Sequence, residues 1–387
     1  MRRGPRVGII GGGQLGRMFI EEALRYNVTC IIADADRECP AALIAHEHVV
    51  GSIAEEDTLV ELARRADLLT YEIEHIYLKP LLRLEAEGKV ELIPSARVLK
   101  VIQDKALQKQ FLHQHGIDTA DFALVEGVHQ WEEVARRKGW SRFAVKTRFH
   151  GYDGRGVLLQ DNLSETKTDA TGFDVPAVIE EFVECEKELS VIVGCGRDGK
   201  LTHFPVVEMQ FDPKANLVMQ LLSPAQIAPQ VEQQAITLAL DTVRAFASPG
   251  LYAVELFLDK QGRVLVNEIA PRPHNSGHHT IEACFTSQYE QLLRILLGLP
   301  QGSTRQLCPA VLLNVLGPAD FSGPYYFAGY EELLNMEGVY VHMYGKKESR
   351  PMRKLGHVTI LGSTMEEVLE KAERVKPHCV IKKANHE

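Results

Sequence analysis

What the chain lacks narrows it first. Its 387 residues hold no apolar run of the ~18 residues that a membrane-spanning helix needs, so no membrane partner is expected. Positive charge is not in excess: 43 Lys and Arg stand against 52 Asp and Glu, a net charge of −9. A phosphate backbone needs a basic face, so nucleic acid is set aside as the main partner. The seven cysteines are odd in number and scattered, with no C-x-x-C pair. That excludes a disulfide framework and fits a reduced, cytoplasmic protein. The opening MRRGPRVGIIGGG has no signal-peptide apolar core and enters a strand almost at once, which again points to the cytoplasm. Internal repeats and low-complexity tracts are missing too.

What is present is an ordinary globular composition, 45% hydrophobic and 25% charged, in a chain long enough for two or three domains. The spacing predicts a strand over Arg6–Ile10, then Gly11-Gly12-Gly13-Gln14-Leu15-Gly16, a helix through Tyr26, and a strand over Val28–Ala33 ending at Asp34. This order fits the dinucleotide fingerprint G-x-G-x-x-G with its following acid. The glycines by themselves explain only a close phosphate approach at a helix N-terminus, and many ligands carry phosphate. Further strands are expected at Val49–Ile53, Leu68–Tyr71 and Glu91–Ile93, with helices at Glu55–Arg65 and Tyr77–Glu87. Residues 1–95 therefore read as an α/β domain with a mainly parallel sheet. Glu72-Ile73-Glu74-His75 falls just past a strand, where open sheets bind ligands; an acid pair capping a helix is the other reading.

Residues 96–306 form a second predicted domain, opening with a helical stretch over Ala96–Gly116 that contains Asp104-Lys105. A strand over Phe143–Lys146 leads into Thr147-Arg148-Phe149-His150-Gly151-Tyr152-Asp153-Gly154-Arg155-Gly156. Three glycines in six residues suit a lid that lays backbone N–H groups over phosphates, or a plain surface hairpin. Lys146 just before it, a compact phosphate-binding charge, favours the lid. Strands are expected at Val178–Val183 and Leu189–Gly194, and helices at Val231–Phe246 and Ile281–Leu297.

The richest stretch is LYAVELFLDKQGRVLVNEIAPRPHNSGHHT, residues 251–280. Two apolar runs flank a polar break at Gly262 and read as a β-hairpin. A two-residue turn at Gln261-Gly262 sets Glu255 opposite Glu268 on one face, with Cβ atoms ~4.5–5.5 Å apart. Like charges so placed repel, and Mg²⁺, which takes one or two carboxylates plus phosphate oxygens, removes the repulsion. Prolines at 271 and 273 end the strand and leave a stiff segment with a guanidinium, imidazoles, an amide and a hydroxyl, groups suited to an anion beside the metal. A zinc pair at His274 and His278 is disfavoured by the same prolines and Gly277. After a polar linker, Gln301–Gln306, residues 307–387 mix strands (Ala310–Leu316, Val339–Tyr344, His357–Ile360) with a helix over Met365–Val375. The cation-rich stretch 344–354 reads either as a solvated loop or as a phosphate grip.

In this order the pieces resemble the ATP-grasp superfamily. GGGQLGRM, YEIEH, QDKALQKQFL, KTRFHGYDGRG and NEIAPRPHNSGHHTIEACFTSQYEQ are similar to the N5-carboxyaminoimidazole ribonucleotide synthetase family of purine biosynthesis. The resemblance runs from Val7 to about Val358. It implies an ATP-grasp fold with an N-terminal Rossmann-like pre-ATP-grasp domain, a glycine-rich lid over about 118–185 and a small C-terminal β-rich cap. It further implies an ATP-dependent ligase that carboxylates 5-aminoimidazole ribonucleotide with bicarbonate and Mg²⁺, and a homodimer. Lys105 and Lys146 would contact ATP phosphates, with Gly151, Tyr152, Asp153, Gly154, Arg155 and Gly156 closing over them. Glu180, Glu181, Phe182 and Val183 would hold the adenine edge, and Glu188 the ribose hydroxyls. Glu255 and Glu268 would ligate Mg²⁺ with Asn267 assisting, although strict alternation turns Asn267 to the opposite face. Arg272, His274, Asn275 and Ser276 would hold bicarbonate, carboxyphosphate and substrate, helped by Tyr152 and Arg155; Arg272, Tyr152 and His274 are the catalytic candidates. Gln14, Leu15, Glu72, Lys346, Arg353 and Lys354 would bind the ribonucleotide. Glu208 would keep a nucleotide contact, in a segment (Glu208-Met209-Gln210-Phe211) less polar than the family pattern. Rival readings are a formate-dependent glycinamide ribonucleotide transformylase, an NAD(P) oxidoreductase resting on GGGQLG and Asp34, and a non-catalytic nucleotide sensor, which would lack a metal acid.

Overall fold

The computed structural model describes residues 4–149, 156–161, 172–211 and 218–384. Its first unit alternates strands β1 (Arg6–Ile10), β2 (Thr29–Asp34), β3 (Glu47–Val50), β4 (Leu68–Tyr71) and β5 (Glu91–Leu92) with helices α1 (Gln14–Arg25), α2 (Glu56–Arg65) and α3 (Leu78–Ala86). The strands pair in parallel in the order β3-β2-β1-β4-β5. Val7, Ile9, Ile10, Ile31 and Ile32 are buried because helices cover both sheet faces. The order reverses between β1 and β4, and there the glycine turn meets Glu72.

The helical stretch expected over Ala96–Gly116 is two helices, α4 (Ala96–Gln103) and α5 (Lys105–Gln114). Asp104 lies between them in extended backbone and caps α5 by accepting from the Ala106 N–H at 2.9 Å. Arg148 donates through Nε to the same carboxylate at 3.0 Å, which ties α5 to the next sheet. That sheet is antiparallel, β6-β9-β7-β8, from β6 (Phe122–Val125), β7 (Phe143–Thr147), β8 (Val157–Gln160) and β9 (Ala177–Glu181). Helix α6 (Trp131–Lys138) packs Trp131 edge-on to Phe143 beneath it.

Strands β10 (Cys185–Cys195), β11 (Leu201–His203), β12 (Val207–Phe211), β13 (Val218–Ser223), β14 (Gly250–Asp259) and β15 (Val264–Ala270) build the largest sheet. Helix α7 (Pro229–Phe246) covers one face, with proline in its first turn, where no N–H partner is needed. The single helix expected over Ile281–Leu297 is instead α8 (Thr280–Ala283) and α9 (Gln288–Leu296). Cys284 leaves the helix to bridge Gln306, and Ser287 starts a new one by accepting from Glu290 N–H at 3.0 Å. The Ser287-x-x-Glu290 spacing of a capping box was the signal for that second start.

The remaining elements are β16 (Ala310–Leu316), β17 (Gly323–Phe327), α10 (Tyr330–Leu334), β18 (Val339–Met343), β19 (Glu348–Ser349), β20 (Lys354–Leu361), α11 (Met365–Val375) and β21 (Ile381–Lys383). Pairing of β13 with β16 continues the large sheet into this region, in the order β15-β14-β10-β12-β13-β16-β20-β18. The polar stretch Gln301–Gln306 is bonded at both ends, Gln301 to Thr202 and Gln306 to Ser223. Helix α9 packs on α1 through Leu292, Leu293 and Leu296 against Met18 and Phe19, so the glycine turn is held at a set distance from the hairpin β14–β15.

Candidate active site

The hairpin forms with a longer turn than expected. Leu258 pairs with Val264 and Asp259 N–H donates to Arg263 O, so Lys260-Gln261-Gly262 make a three-residue loop. Gly262 is in the left-handed region at φ 79°. A two-residue turn is thus corrected, yet Glu255 still pairs with Glu268, because the register shifts once between Glu255 and Leu256. The extra residue is Asn267. A bulge re-aims the side chain it carries, and Asn267 Oδ1 accepts from Lys146 Nζ at 3.0 Å beside Glu268. The objection that alternation turns Asn267 away is removed by the bulge.

Lysines surround the acid pair. Lys105 Nζ lies 2.6 Å from Glu268 Oε1, and Lys146 Nζ also donates to Glu180 Oε2 at 3.0 Å. Burial would raise the Glu268 carboxyl, but Lys105 and then Lys146 together outweigh it and the net direction is down. Glu255 goes the other way, to about 8, through burial and then the charges of Glu268 and Glu188. Burial likewise raises Glu188 to about 7. Glu180 is pushed down to about 2, since Lys109 and Lys146 outweigh its burial. A carboxylate pair whose like charges disfavour full ionisation fits a divalent cation, as do only two such ligands, because Mg²⁺ fills its remaining positions with water and phosphate oxygens. Among the described residues no group of three or more His, Cys, Asp and Glu is arranged to hold a metal.

The stiff segment after the hairpin carries its groups into the same cleft. His274 Nε2 is 3.3 Å from Glu255 Oε1, and its Nδ1 is 2.9 Å from Ser276 Oγ. Ser276 Oγ in turn meets Ser190 Oγ at 2.9 Å, and Ser190 pairs with Glu255 across β10–β14. Asn275 Nδ2 donates to Asn314 Oδ1 at 2.8 Å, reaching into β16. Arg272 Nε is 2.8 Å from Glu74 Oε1, which joins this segment to the YEIEH stretch of the first unit. His278 belongs to a different, buried network with Tyr289 and Gln288.

At the glycine turn the close approach is used by protein. Gly13 N–H donates to Glu72 Oε1, and Gly16 N–H donates to Oε2 at 2.6 Å. A Cβ on Gly11 would stand 2.7 Å from Glu72 Cγ. Asp34 Oδ2 accepts from Gly12 N–H at 2.9 Å. The helix N-terminus that a dinucleotide pyrophosphate would occupy is therefore filled by Glu72, and the NAD reading fails on that ground. Gln14 opens α1 and Leu15 is buried in the core beneath it.

The C-terminal cations come to the first unit. A Cβ on Gly345 would lie 2.6 Å from Arg17 Nη1, and Lys347 pairs with Glu38. Lys346 Nζ donates to Lys354 O at 2.7 Å, and Arg353 Nη1 to Glu348 O at 2.7 Å. Lys354 is near enough to Glu255 to lower its carboxyl, a minor effect beside burial.

Glu208 is not brought to the cleft. Its strand partner is Leu189, whereas Met209 pairs with Glu188, so Met209 takes the face that Glu188 shares. Glu208 instead holds Lys187 Nζ at 2.7 Å. Its nucleotide role is corrected for that reason. Glu181, Phe182, Val183 and Leu265 line a cavity of about 570 Å³, and the Arg142 guanidinium stacks 3.7 Å above the Phe182 ring. Gly151, Tyr152, Asp153, Gly154 and Arg155 lie outside the described residues; Gly156 is described, at φ 74°. Sequence reasoning missed Lys109, Ser190 and Arg17. Lys109 follows Lys105 by four residues, one helical face, which was signal enough.

A carboxylate hairpin at the edge of a large antiparallel sheet, flanked by lysines from α5 and from a second, four-stranded antiparallel sheet, after a parallel pre-domain, defines an ATP-grasp protein. Residues 5–103 match the ribonucleotide synthetase preATP-grasp domain family, 110–289 the ATP-grasp domain family, and 310–371 the phosphoribosylaminoimidazole carboxylase C-terminal domain family. A Brucella melitensis protein described as N5-carboxyaminoimidazole ribonucleotide synthase is 37% identical, over 93% of this chain and 97% of its own. The crystal structure of N5-carboxyaminoimidazole ribonucleotide synthetase from Thermotoga maritima superposes with a TM-score of 0.89 at 39% identity, covering 98% of this chain and 100% of that one. An Aspergillus clavatus N5-carboxyaminoimidazole synthase, solved with ADP and 5-aminoimidazole ribonucleotide, gives 0.89 at 30% identity, covering 98% and 99%. The chain belongs to the N5-carboxyaminoimidazole ribonucleotide synthase family. It spans 65% of the length of its Vigna aconitifolia relative and 66% of that of its Schizosaccharomyces pombe relative.

Proposed function

We propose that this chain carboxylates the exocyclic amine of 5-aminoimidazole ribonucleotide, using ATP and bicarbonate and releasing ADP and phosphate. The observation that carries the reading is the Glu255–Glu268 pair, with Lys105 and Lys146 on one side and Arg272 to Ser276 on the other. Bicarbonate oxygen attacks the γ-phosphorus, the bond to ADP breaks, and carboxyphosphate forms. Lys105 and Lys146 would hold ATP's phosphates, and the backbone of Glu180 to Val183 would hold adenine, with Glu188 at the ribose. Glu255 and Glu268, with Asn267 beside them, would hold Mg²⁺, which supplies charge neutralisation for phosphoryl transfer when bound. Arg272 and His274 would stabilise the anion in the cleft. The substrate amine then takes the carboxyl group, phosphate leaves, and the amine loses a proton.

Arg353, Lys346 and Lys354 would take the substrate's 5′-phosphate at the edge of the first unit, where their stretch meets Arg17 and Glu38, with Gln14 as a further substrate contact. Glu72 acts by setting the backbone of that turn. Residues 1–95, 96–306 and 307–387 are the functional divisions. No described helix is long and apolar enough to cross a membrane; cytoplasmic location and a homodimer are part of the proposal. The test is ADP release measured with and without aminoimidazole ribonucleotide and bicarbonate. ADP release that needs both supports the reading; release indifferent to the ribonucleotide overturns it.

A further inference from the structure

One buried network in the described residues runs behind the phosphate lysine through two side chains, Lys109 and Thr119, that have no role above. Lys109, on α5, is 3% exposed, and its Nζ donates to Thr119 Oγ1 at 2.6 Å and pairs with Glu180 Oε2 at 3.1 Å. Thr119 Oγ1 donates to the Val266 carbonyl at 2.6 Å. On the other side the same Glu180 oxygen accepts from Lys146, and Lys146 donates to Asn267. The links close a ring that leaves β15 at Val266 and returns to β15 at Asn267, the bulged residue. Along the way it passes through α5, β9 and β7. Three separately folded parts meet in it: the helix after Asp104, the four-stranded sheet and the hairpin that carries the acids.

The charges in this ring are uneven. Two ammonium groups share one carboxylate oxygen, so the buried cluster carries a net positive charge. Burial lowers the Lys109 pKa, only partly offset by Glu180, and the Nζ–Oε2 contact of 3.1 Å is that of an ion pair. Lys146, at the open end, is the group through which that surplus charge is presented to the cleft. Without Lys109, Glu180 has a single cation to hold, and a buried carboxylate left with one partner grips it harder.

We infer that Lys109 is a positioning residue for nucleotide binding: by neutralising Glu180 it frees Lys146 to meet the phosphates of ATP. The inference rests on the reading of Lys146 as a phosphate ligand. Lys109 itself touches no substrate. Its action is on Lys146, through Glu180, and on the seat of β15, through Thr119.

The test measures the affinity of the Mg²⁺ complex of a non-hydrolysable ATP analogue by calorimetry, with thermal melting to confirm folding. Lys109→Met should weaken analogue binding at least tenfold. Adding Glu180→Gln to Lys109→Met removes the carboxylate that captures Lys146 and should restore affinity to within about threefold of native. A purely structural role for Lys109 would not produce that rescue. Thr119→Val, a milder change that loosens Lys109 without removing its charge, should weaken binding about threefold and decides the matter if Lys109→Met does not fold. Lys146→Met is the control for the underlying reading: if it leaves the affinity unchanged, Lys146 is no phosphate ligand. If Lys146→Met is weak while folded Lys109→Met binds within twofold of native, or if the double variant is weaker than Lys109→Met, the inference about Lys109 is overturned.

Discussion

Glu255 and Glu268 stand directly opposite each other on β14 and β15 only because Asn267 is bulged. The bulge compensates for a loop one residue longer than a two-residue turn would be. It also delivers Asn267 to Lys146, so one backbone irregularity assembles three groups of the site. Glu255→Gln or Glu268→Gln should lower Mg²⁺-dependent turnover by about a hundredfold or more, the scale of a few kcal/mol of lost charge stabilisation. The fold should persist, because removing one of two facing acids relieves repulsion. Melting and steady-state ADP release check both parts, and near-native turnover would contradict the role.

Arg353 reaches the first unit by the fold alone. It lies close enough to Asp36 and Arg350 to interact with both, while burial and then Arg350 lower its pKa. A charge-assisted hydrogen bond is worth roughly 1.5–3 kcal/mol, so Arg353→Ala should weaken ribonucleotide binding about ten- to a hundredfold. The apparent affinity for ATP should change little, since Lys105 and Lys146 lie at the hairpin. Equal loss for both ligands, measured as separate KM values, would place Arg353 elsewhere.

A stack of histidines joins the turn before α8 to the C-terminal strands. His342 stacks on His357 at 4.4 Å between centroids, and His357 lies 4.8 Å from His278. Tyr344 and Tyr289 meet His357 and His278 at 3.0 Å, and Glu282 holds His342 at 2.6 Å. Burial, then the neighbouring His274, His342, His279 and Lys354, holds His278 well below its ordinary 6.5; burial and then His278, His342 and His279 do the same to His357. A base whose folded pKa is depressed costs nothing above 6.5. Below that value the unfolded chain takes up protons that the fold refuses, so stability falls as pH drops through 6.5. Urea unfolding at pH 7.5 and 5.5 should show this loss. His357→Gln should lower stability at pH 7.5 but flatten the pH dependence; an unchanged slope would count against the stack as its source.

Local chemistry determined much of this protein from sequence alone. Arg6–Ile10, Leu68–Tyr71, Ala310–Leu316 and Met365–Val375 occur with the bounds that the sequence predicts, because each is marked by its own apolar run or period and by the residues that flank it. The pairing of Glu255 with Glu268 and the cluster Arg272 to Ser276 were likewise legible, being set by a hairpin and by two prolines. What tertiary structure decided was everything that depends on a distant partner. Glu72 fills the glycine turn because β1 and β4 are neighbours, and sequence cannot say which strand lies beside which. Glu208 turns away because β12 pairs with β10 in a register fixed by packing. Lys109 finds Glu180, and the cations of 346–354 find the first unit, only when sheets from separate stretches close on one another. Side chains far apart in sequence meet through burial, which is a property of the whole fold and not of any local pattern.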